Sequence, residues 1–511
     1  MTSNQYDYII IGAGHNGLVA AAYLAKQGKK VLVLERRDIV GGQVVTESFG
    51  DGFTVDSLHA GGTLRPDIIK DLGLGTSGKN TRSTRPPFIS LQADGNHLVL
   101  DADPAKAAES IKRFSVKDAA NWLPFVDFMR KATKFMHSAN SKIMPRLPMG
   151  FNFSEGMDLA KLGIDIRMMG GKDMMRIIRG IPMTAEEFVD EWFESDVLKA
   201  AVASLGIHGF TLGPMGAGTG YTLMHNWANR GGLSHVTYSA LSGATAQSKR
   251  GIGQISEALA NAVKSFGGEI RTNAEVKTIQ VDTFTCKGVV LANGEEIAAK
   301  NIISAADPKH TFLNLVGAVN LPPEFVWNVQ SIKMRGSVAK VHLLTDGKHG
   351  IPDATIALAP SIKYLEKAYD AAKYHGISEK PYLEVTTSGN VVSFHFQFAP
   401  YELKDSNWKV ESGNVEKIAI DTLAEYFPNL KSSIVNTRTI TPKDLEDTYG
   451  LTEGDLNHGQ IMLDQFMFMR PIPGWSNHKT PLDNLYLCGN GVHGGGGVSG
   501  ASGRNVVKML K

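Results

Sequence analysis

Cysteine is nearly missing from this sequence. Cys286 and Cys488 are the only two in 511 residues, far apart and in no CxxC pair. That excludes a disulfide framework and a redox-active dithiol, and a reducing compartment such as the cytoplasm fits. An excess of either charge is missing too. Lysine and arginine number 53 against 51 aspartates and glutamates, a net charge of +2. Nucleic acid is not an expected partner, since its binders carry a strongly basic face. Long hydrophobic runs are scarce. The one that needs a decision, Tyr8 to Ala25, follows Asp7 and no basic stretch, unlike a secretory signal. Three glycines at turn spacing interrupt it, unlike a membrane span. The roughly six residues before it are too few for a transit peptide. A soluble chain, or one held peripherally on a membrane, is expected. No Ser-His-Asp arrangement stands out, and His208, His225, His235 and His310 show no i, i+4 pairing, so no metal site is expected.

What is present begins at the N-terminus. Tyr8 to Ile11 reads as a short, fully apolar strand of a parallel sheet. GAGHNG follows, with Gly12, Gly14 and Gly17 enclosing His15 and Asn16. Gly12 permits the turn, Gly14 lets backbone reach a pyrophosphate, and Gly17 lets helix and strand pack closely. The predicted helix runs from about Asn16 to Lys26, with Gly28 ending it. Its N-terminus offers free N–H groups to an anion. Val31 to Leu34 is the next strand, and Glu35 ends it, placed for the hydroxyls of an adenosine ribose. An acid there argues against a 2′-phosphate, hence against NADP. The motif predicts a dinucleotide site and leaves FAD and NAD unseparated.

Three later stretches narrow the choice. After Glu35 and Arg36 comes DIVGGQ, with Gly41, Gly42 and Gln43. The middle segment reads as a helix from Gln254 to Phe266, a Gly267-Gly268 turn, then a small antiparallel sheet. Asn293-Gly294 is its expected two-residue hairpin turn, and the chain returns to the main sheet at Ile302-Ile303. Near the end, Leu485 to Cys488 reads as a strand. A glycine-rich loop, Gly494 to Gly497, follows, then a helix starting near Val498-Ser499.

These stretches together resemble the phytoene desaturase-related FAD oxidoreductases, in the branch that also holds the amine oxidases, and the resemblance runs end to end. The C-terminal stretch is closest to the sub-branch called pyridine nucleotide-disulfide oxidoreductase domain-containing proteins, although no cysteine pair is present. The resemblance implies an α/β fold, a glutathione-reductase-type FAD-binding Rossmann domain with an inserted α+β substrate domain. The FAD domain is expected to be discontinuous, residues 1–75, 245–310 and 475–511. Substrate segments would be 76–244 and 311–474. Non-covalent FAD would touch Gly12, Gly14, His15, Asn16, Gly17, Glu35, Arg36, Gly41, Gly42 and Gln43. The Val276 backbone would meet the adenine. Gly489, Asn490, Gly497, Val498 and Ser499 would meet the flavin, where helix-start N–H groups stabilise a reduced ring. Relatives commonly carry Thr-His-Pro where this chain has Val492-His493-Gly494.

The glycines Gly216, Gly218 and Gly220 have the wrong spacing and no preceding strand for a second nucleotide site, so NAD(P)H is not expected as a bound second cofactor. Electrons are expected to leave to oxygen, a quinone or another carrier. Residues 129 to 183 hold ten of the 18 methionines, interspersed with Lys161, Arg167, Lys172, Arg176 and Arg179. Two readings stand: ordinary helical core, or an adaptable apolar surface for substrate or membrane. By resemblance the activity is desaturation of a hydrophobic, isoprenoid or carotenoid-like substrate by hydride transfer to flavin N5. His493, His59 and Arg470 are the candidate catalytic residues. Saturation or isomerisation of a polyene, amine oxidation, and a non-enzymatic FAD-bearing binding protein are the alternatives.

Overall fold

A computed structural model describes residues 6–50, 52–62, 64–75, 82–147, 150, 153–235, 237–239 and 251–511. The predicted start of the chain forms as read. Tyr6–Ile11 is a strand, His15–Lys26 a helix and Val31–Leu34 a strand. Ile9, Ile10, Leu32 and Val33 have no exposed surface, which is why these strands are apolar throughout. Each such side chain contributes about 1.5–3 kcal/mol when fully buried.

These strands lie in a seven-stranded sheet. Its centre is parallel: Leu485–Leu487, Glu296–Ser304, Tyr6–Ile11, Val31–Leu34 and Glu269–Arg271 in that order. The Glu296–Ser304 strand has two kinds of partner. Its first half pairs antiparallel with Thr285–Leu291, and its second half pairs parallel with Tyr6–Ile11 and Leu485–Leu487. The return at Ile302-Ile303 is thus as expected. The hairpin before it is not a two-residue turn. Leu291 and Glu295 close a three-residue loop, in which Gly294 takes φ 89° and the Asn293 side chain accepts from the Glu295 N–H. This loop puts one bulge residue in the hairpin, which a turn of Asn-Gly alone does not need.

A second seven-stranded sheet draws on residues 88–100 and 338–440. Its middle is antiparallel, with Val338–Thr345 beside Val391–Gln397, and that strand beside Leu383–Ser388. The first sheet draws on residues 6–34, 269–304 and 485–487. The expected joins at 75–76 and 244–245 lie at the edge of, or outside, the described residues.

The methionine-rich segment divides. Met129, Met136 and Met144 are buried in core, whereas Met157, Met168 and Met175 are exposed. Met149 lies outside the described residues. On the helix Phe153–Met168, exposed Phe153, Met157, Ile164 and Met168 fall on one face by their spacing. Among the described residues no helix is long and apolar enough to cross a membrane.

Candidate functional site

The glycine-rich turn opens a cavity of about 390 Å³. Gly12, Gly14, His15, Asn16, Gly17, Glu35, Arg36, Gly42, Gln43, Val276, Gly489 and Asn490 all line it. Gly17 tolerates no side chain, because a Cβ there would fall on the Gly12 carbonyl and press on Ile10 and Ala305. A Cβ at Gly14 would meet nothing within 4 Å, so its face toward the cavity is open. The Glu35 carboxylate is fixed by the N–H groups of Ala13 at 2.8 Å and Arg37 at 3.0 Å. Asn16 donates to the Asn490 side chain at 2.8 Å, joining the first helix to the C-terminal loop.

Gly41 does not line this cavity. Its N–H donates to the Ala13 carbonyl, and a Cβ would strike the Val44 carbonyl, so the doublet buttresses the turn through Gly41 and faces the cavity through Gly42. The far wall was missed by the sequence reading. Tyr449, Gly450, Thr452 and His458 close it, from a segment distant in sequence and carrying no nucleotide motif.

The lining fits a dinucleotide on its own chemistry. His15 Nε2, Asn16 Oδ1, Arg37 Nη1 and His458 Nδ1 are buried polar atoms without a partner around it. Buried polar groups ordinarily have partners. A ligand bearing phosphates, ribose hydroxyls and a flavin supplies them.

A second cavity adjoins the first at Gln43. The Gln43 amide N–H donates to the Leu456 carbonyl at 3.0 Å, and its oxygen faces His59 Nε2 at 3.0 Å. That oxygen only accepts, so His59 carries its proton on Nε2 and keeps a lone pair on Nδ1. Burial, followed by repulsion from Lys340 and other cations, pushes the His59 imidazole down to about 3. It is therefore neutral near pH 7.

The remaining walls of this cavity are polar to an extent that the sequence reading did not foresee. His208, His225, His235, His342 and His395 line it together with Arg230, Lys340 and Glu384. Lys340 pairs opposite His395, and His395 opposite Glu384, across three neighbouring strands. Directly opposed residues share a face, so one row of the second sheet carries all three. Arg230 comes from the end of the helix Thr219–Arg230 and grips Glu384 with two bonds, 2.8 and 3.2 Å. His235 Nε2 lies 2.6 Å from the same carboxylate. Burial alone would raise the Glu384 carboxyl, but Arg230 and the imidazoles outweigh it and hold it well below the usual range.

Lys340 is the least satisfied cation. Gln397 donates to the Phe210 carbonyl and accepts from Gly209, so its oxygen faces His395 Nε2 at 2.8 Å. His395 Nδ1 is then a lone pair, and Lys340 donates to it at 2.9 Å. Burial, only partly offset by Glu384, pushes the Lys340 ammonium down to about 7.

The candidate catalytic residues separate here. His59 lines the second cavity. His493 lines neither cavity: it is buried, with Nε2 on the Ala139 carbonyl at 3.0 Å. Arg470 lines neither. It holds the carbonyls of Asn490, Gly459 and Asn457, positioning the C-terminal loop. The loop also differs from expectation. Gly497 and Val498 line the second cavity, yet a Cβ at Gly496 would strike His225, and one at Gly497 would strike Asn229. These glycines let a helix side chain approach, and Asn229 donates to the Gly496 carbonyl. The last helix starts at Ala501, not near Val498, because Gly500 takes φ 74°. Ser499 lines neither cavity, and its hydroxyl accepts from the Ala501 N–H. The Gly216–Gly220 glycines launch the helix that carries His225 and Arg230. A Cβ at Gly220 would strike the Gly180 carbonyl, so that glycine serves packing.

Comparison with known proteins agrees with the geometry. The family model described as flavin containing amine oxidoreductase matches residues 17–507. Pyridine nucleotide-disulfide oxidoreductase domain-containing protein 2 of Rattus norvegicus is 31% identical, over 99% of this chain and 93% of its own. A lycopene-forming phytoene desaturase of Pantoea ananas is 25% identical, over 97% of this chain and 96% of its own. The crystal structure of an oxidoreductase from Methanosarcina mazei shares the fold. Its TM-score is 0.60 at 17% identity, and the match covers 99% of this chain and 100% of that one. The chain belongs to the flavin-containing amine oxidoreductase family, with an FAD-binding Rossmann domain, a substrate domain and FAD as its cofactor.

Proposed function

We propose that this flavin oxidoreductase forms a C=C bond in a largely hydrophobic, isoprenoid or carotenoid-like substrate. Bound FAD supplies a two-electron acceptor for the hydride that leaves one carbon. The protein's part is to hold the substrate, exclude water and take a proton from the neighbouring carbon. The electron pair of that second C–H bond becomes the π bond, so atoms and electrons balance. His59 Nδ1 is the proton acceptor that the second cavity offers. Arg470 acts through Asn490 as a positioning residue.

One observation carries this reading over amine oxidation. Both carboxylates of the second cavity are engaged. Glu384 is held by Arg230 and His235, and Asp56 by Thr46 Oγ1 and the Ile252 N–H. Among the described lining residues no uncommitted carboxylate faces a substrate ammonium. Oxygen or a quinone would reoxidise the flavin. Exposed Phe153, Met157, Ile164 and Met168, with exposed Lys161 and Arg167 beside them, would rest on an anionic lipid surface.

Anaerobic mixing with two substrate panels tests the assignment. Saturated or partly saturated isoprenoids should bleach the visible flavin band, and primary or secondary amines should not. Bleaching by amines alone overturns it. A flavin that no chemical reductant can bleach would favour the binding-protein alternative.

A further inference from the structure

Two histidines flank Gln43, one in the lining of each cavity. The Gln43 amide N–H groups face one way, to the Leu456 carbonyl at 3.0 Å and to His458 Nε2 at 3.3 Å. Its oxygen faces the other way, to His59 Nε2 at 3.0 Å. The Leu456 carbonyl only accepts, so it fixes which end of the amide turns toward it. Rotating the amide by half a turn would set two oxygens against each other at a buried side chain. His458 Nε2 meets an N–H and must be a lone pair, which puts the His458 proton on Nδ1. His59 meets an oxygen and carries its proton on Nε2. One side chain therefore holds two rings in opposite tautomers. Burial outweighs the attraction of Asp307 and brings the His458 imidazole down to about 4, so it is neutral near pH 7, as His59 is.

His458 Nδ1 is buried in the lining of the first cavity and has no partner among the described residues. The Asp307 carboxylate is already taken up by the His310 N–H and the Thr452 hydroxyl. The backbone that carries the ring is clamped. His458 sits at φ 58°, in the left-handed region, and Arg470 grips the carbonyls on both flanks, Asn457 at 2.6 Å and Gly459 at 3.1 Å. The Asn457 amide is tied in turn to the Gly209 carbonyl at 3.0 Å. Surroundings that hold a residue in a sparsely populated conformation are a mark of functional sites.

We infer that Gln43 sets the two tautomers as a pair, so that His458 Nδ1–H donates to an acceptor of the bound cofactor while His59 Nδ1 is left to take the substrate proton. Gln43 and His458 are positioning residues. The donor contact concerns the cofactor alone, and the use made of His59 rests on the C=C-forming reading above. Only an amide does both jobs at this place. A carboxylate would accept from both rings and set a negative oxygen against the Leu456 carbonyl, and a lysine or arginine would donate to both.

The test is nitrogen NMR of the FAD-loaded protein carrying isotope-labelled histidine. The two rings are assigned from the signals lost in His458→Asn and His59→Gln. Each ring should show a single tautomer, His458 protonated on Nδ1 and His59 on Nε2. Gln43→Met keeps the volume, removes the amide, and should leave both rings as mixtures. Flavin released on serial dilution of the loaded protein is the second reading. His458→Phe should weaken FAD retention about tenfold, a difference of about 1.4 kcal/mol. His458→Asn keeps an N–H near the Nδ1 position and tolerates the left-handed backbone. It should weaken retention by no more than about threefold. Urea unfolding reports whether each variant is folded. Either ring in the opposite tautomer in the unaltered protein overturns the inference, as do single tautomers on both rings in folded Gln43→Met. Undiminished retention in His458→Phe overturns the cofactor contact. An equal loss in His458→Asn and His458→Phe assigns the effect to ring packing and overturns the donor. The stated tautomers in a protein whose flavin only amines bleach would overturn the C=C-forming reading and leave the pair standing.

Discussion

The two cavities meet at one glutamine and are made in opposite ways. The nucleotide cavity is made largely of backbone: glycines, a turn and a helix end, drawn from the start of the chain and closed by later segments. The second cavity is made largely of side chains, brought from the helix Thr219–Arg230, from four strands and from the loops between them. Backbone sites need particular residues to be small. Side-chain sites need particular residues to be paired. The first kind fails when something is added and the second when something is removed.

That contrast can be broken in order of expected effect. Gly17→Val puts atoms onto the Gly12 carbonyl and should abolish FAD retention. We expect at least about 100-fold weaker binding, roughly 3 kcal/mol, measured as flavin absorbance per chain after gel filtration. Normal flavin content in this variant would refute the backbone account of the first cavity. Glu384→Gln strands the buried Arg230 and should cost about 3–5 kcal/mol of stability in urea unfolding. Replacing Arg230 and Glu384 together by methionine and leucine should recover most of it, because no charge is then left unpaired.

Lys340 gives a subtler handle. Its folded pKa, about 7, lies below its ordinary value of 10.5. Below about pH 7 both states hold the proton, and the penalty for burying the charge is complete. Between about 7 and 10.5 the unfolded chain binds more protons than the native one. Stability should therefore rise with pH across that window, by a few kcal/mol at most, and Lys340→Met should flatten the rise. A slope unchanged in the variant would show that another group produces it. The smallest effect concerns neither cavity. Phe153→Ser with Met168→Ser changes only exposed side chains and should shift stability by less than about 0.5 kcal/mol. It should nonetheless lower co-sedimentation with anionic vesicles, and unchanged sedimentation would remove the membrane proposal.

The same contrast explains what could be read in advance. The nucleotide half was legible because its signal is local: glycines at fixed spacing, an apolar strand on each side and an acid at the end. Gly12, Gly17 and Glu35 line the first cavity together. The wall made by Tyr449, Gly450 and His458 was not legible, since nothing in its local pattern differs from an ordinary loop. Three histidines of the second cavity, His208, His225 and His235, show no pairing at helical spacing. The spacing in this cavity is that of strands and of long-range pairing. Lys340 and His342, like His395 and Gln397, sit two apart in otherwise apolar strands, so each pair shares one face. Polar residues at that interval inside a buried strand were the available signal. His493 misled because it stands midway between Gly489 and Gly497, which line the two cavities, while its own side chain turns into the core.

Asn16 and Asn490 touch across 474 residues. A ribosome making this chain exposes the glycine turn within its first moments, but the groove has no floor until the Leu485–Leu487 strand and the loop after it emerge. Cofactor capture is therefore a late event in the life of each molecule. A nascent or prematurely ended chain carries the fingerprint without the grip, and flavin content becomes a tally of finished polypeptides.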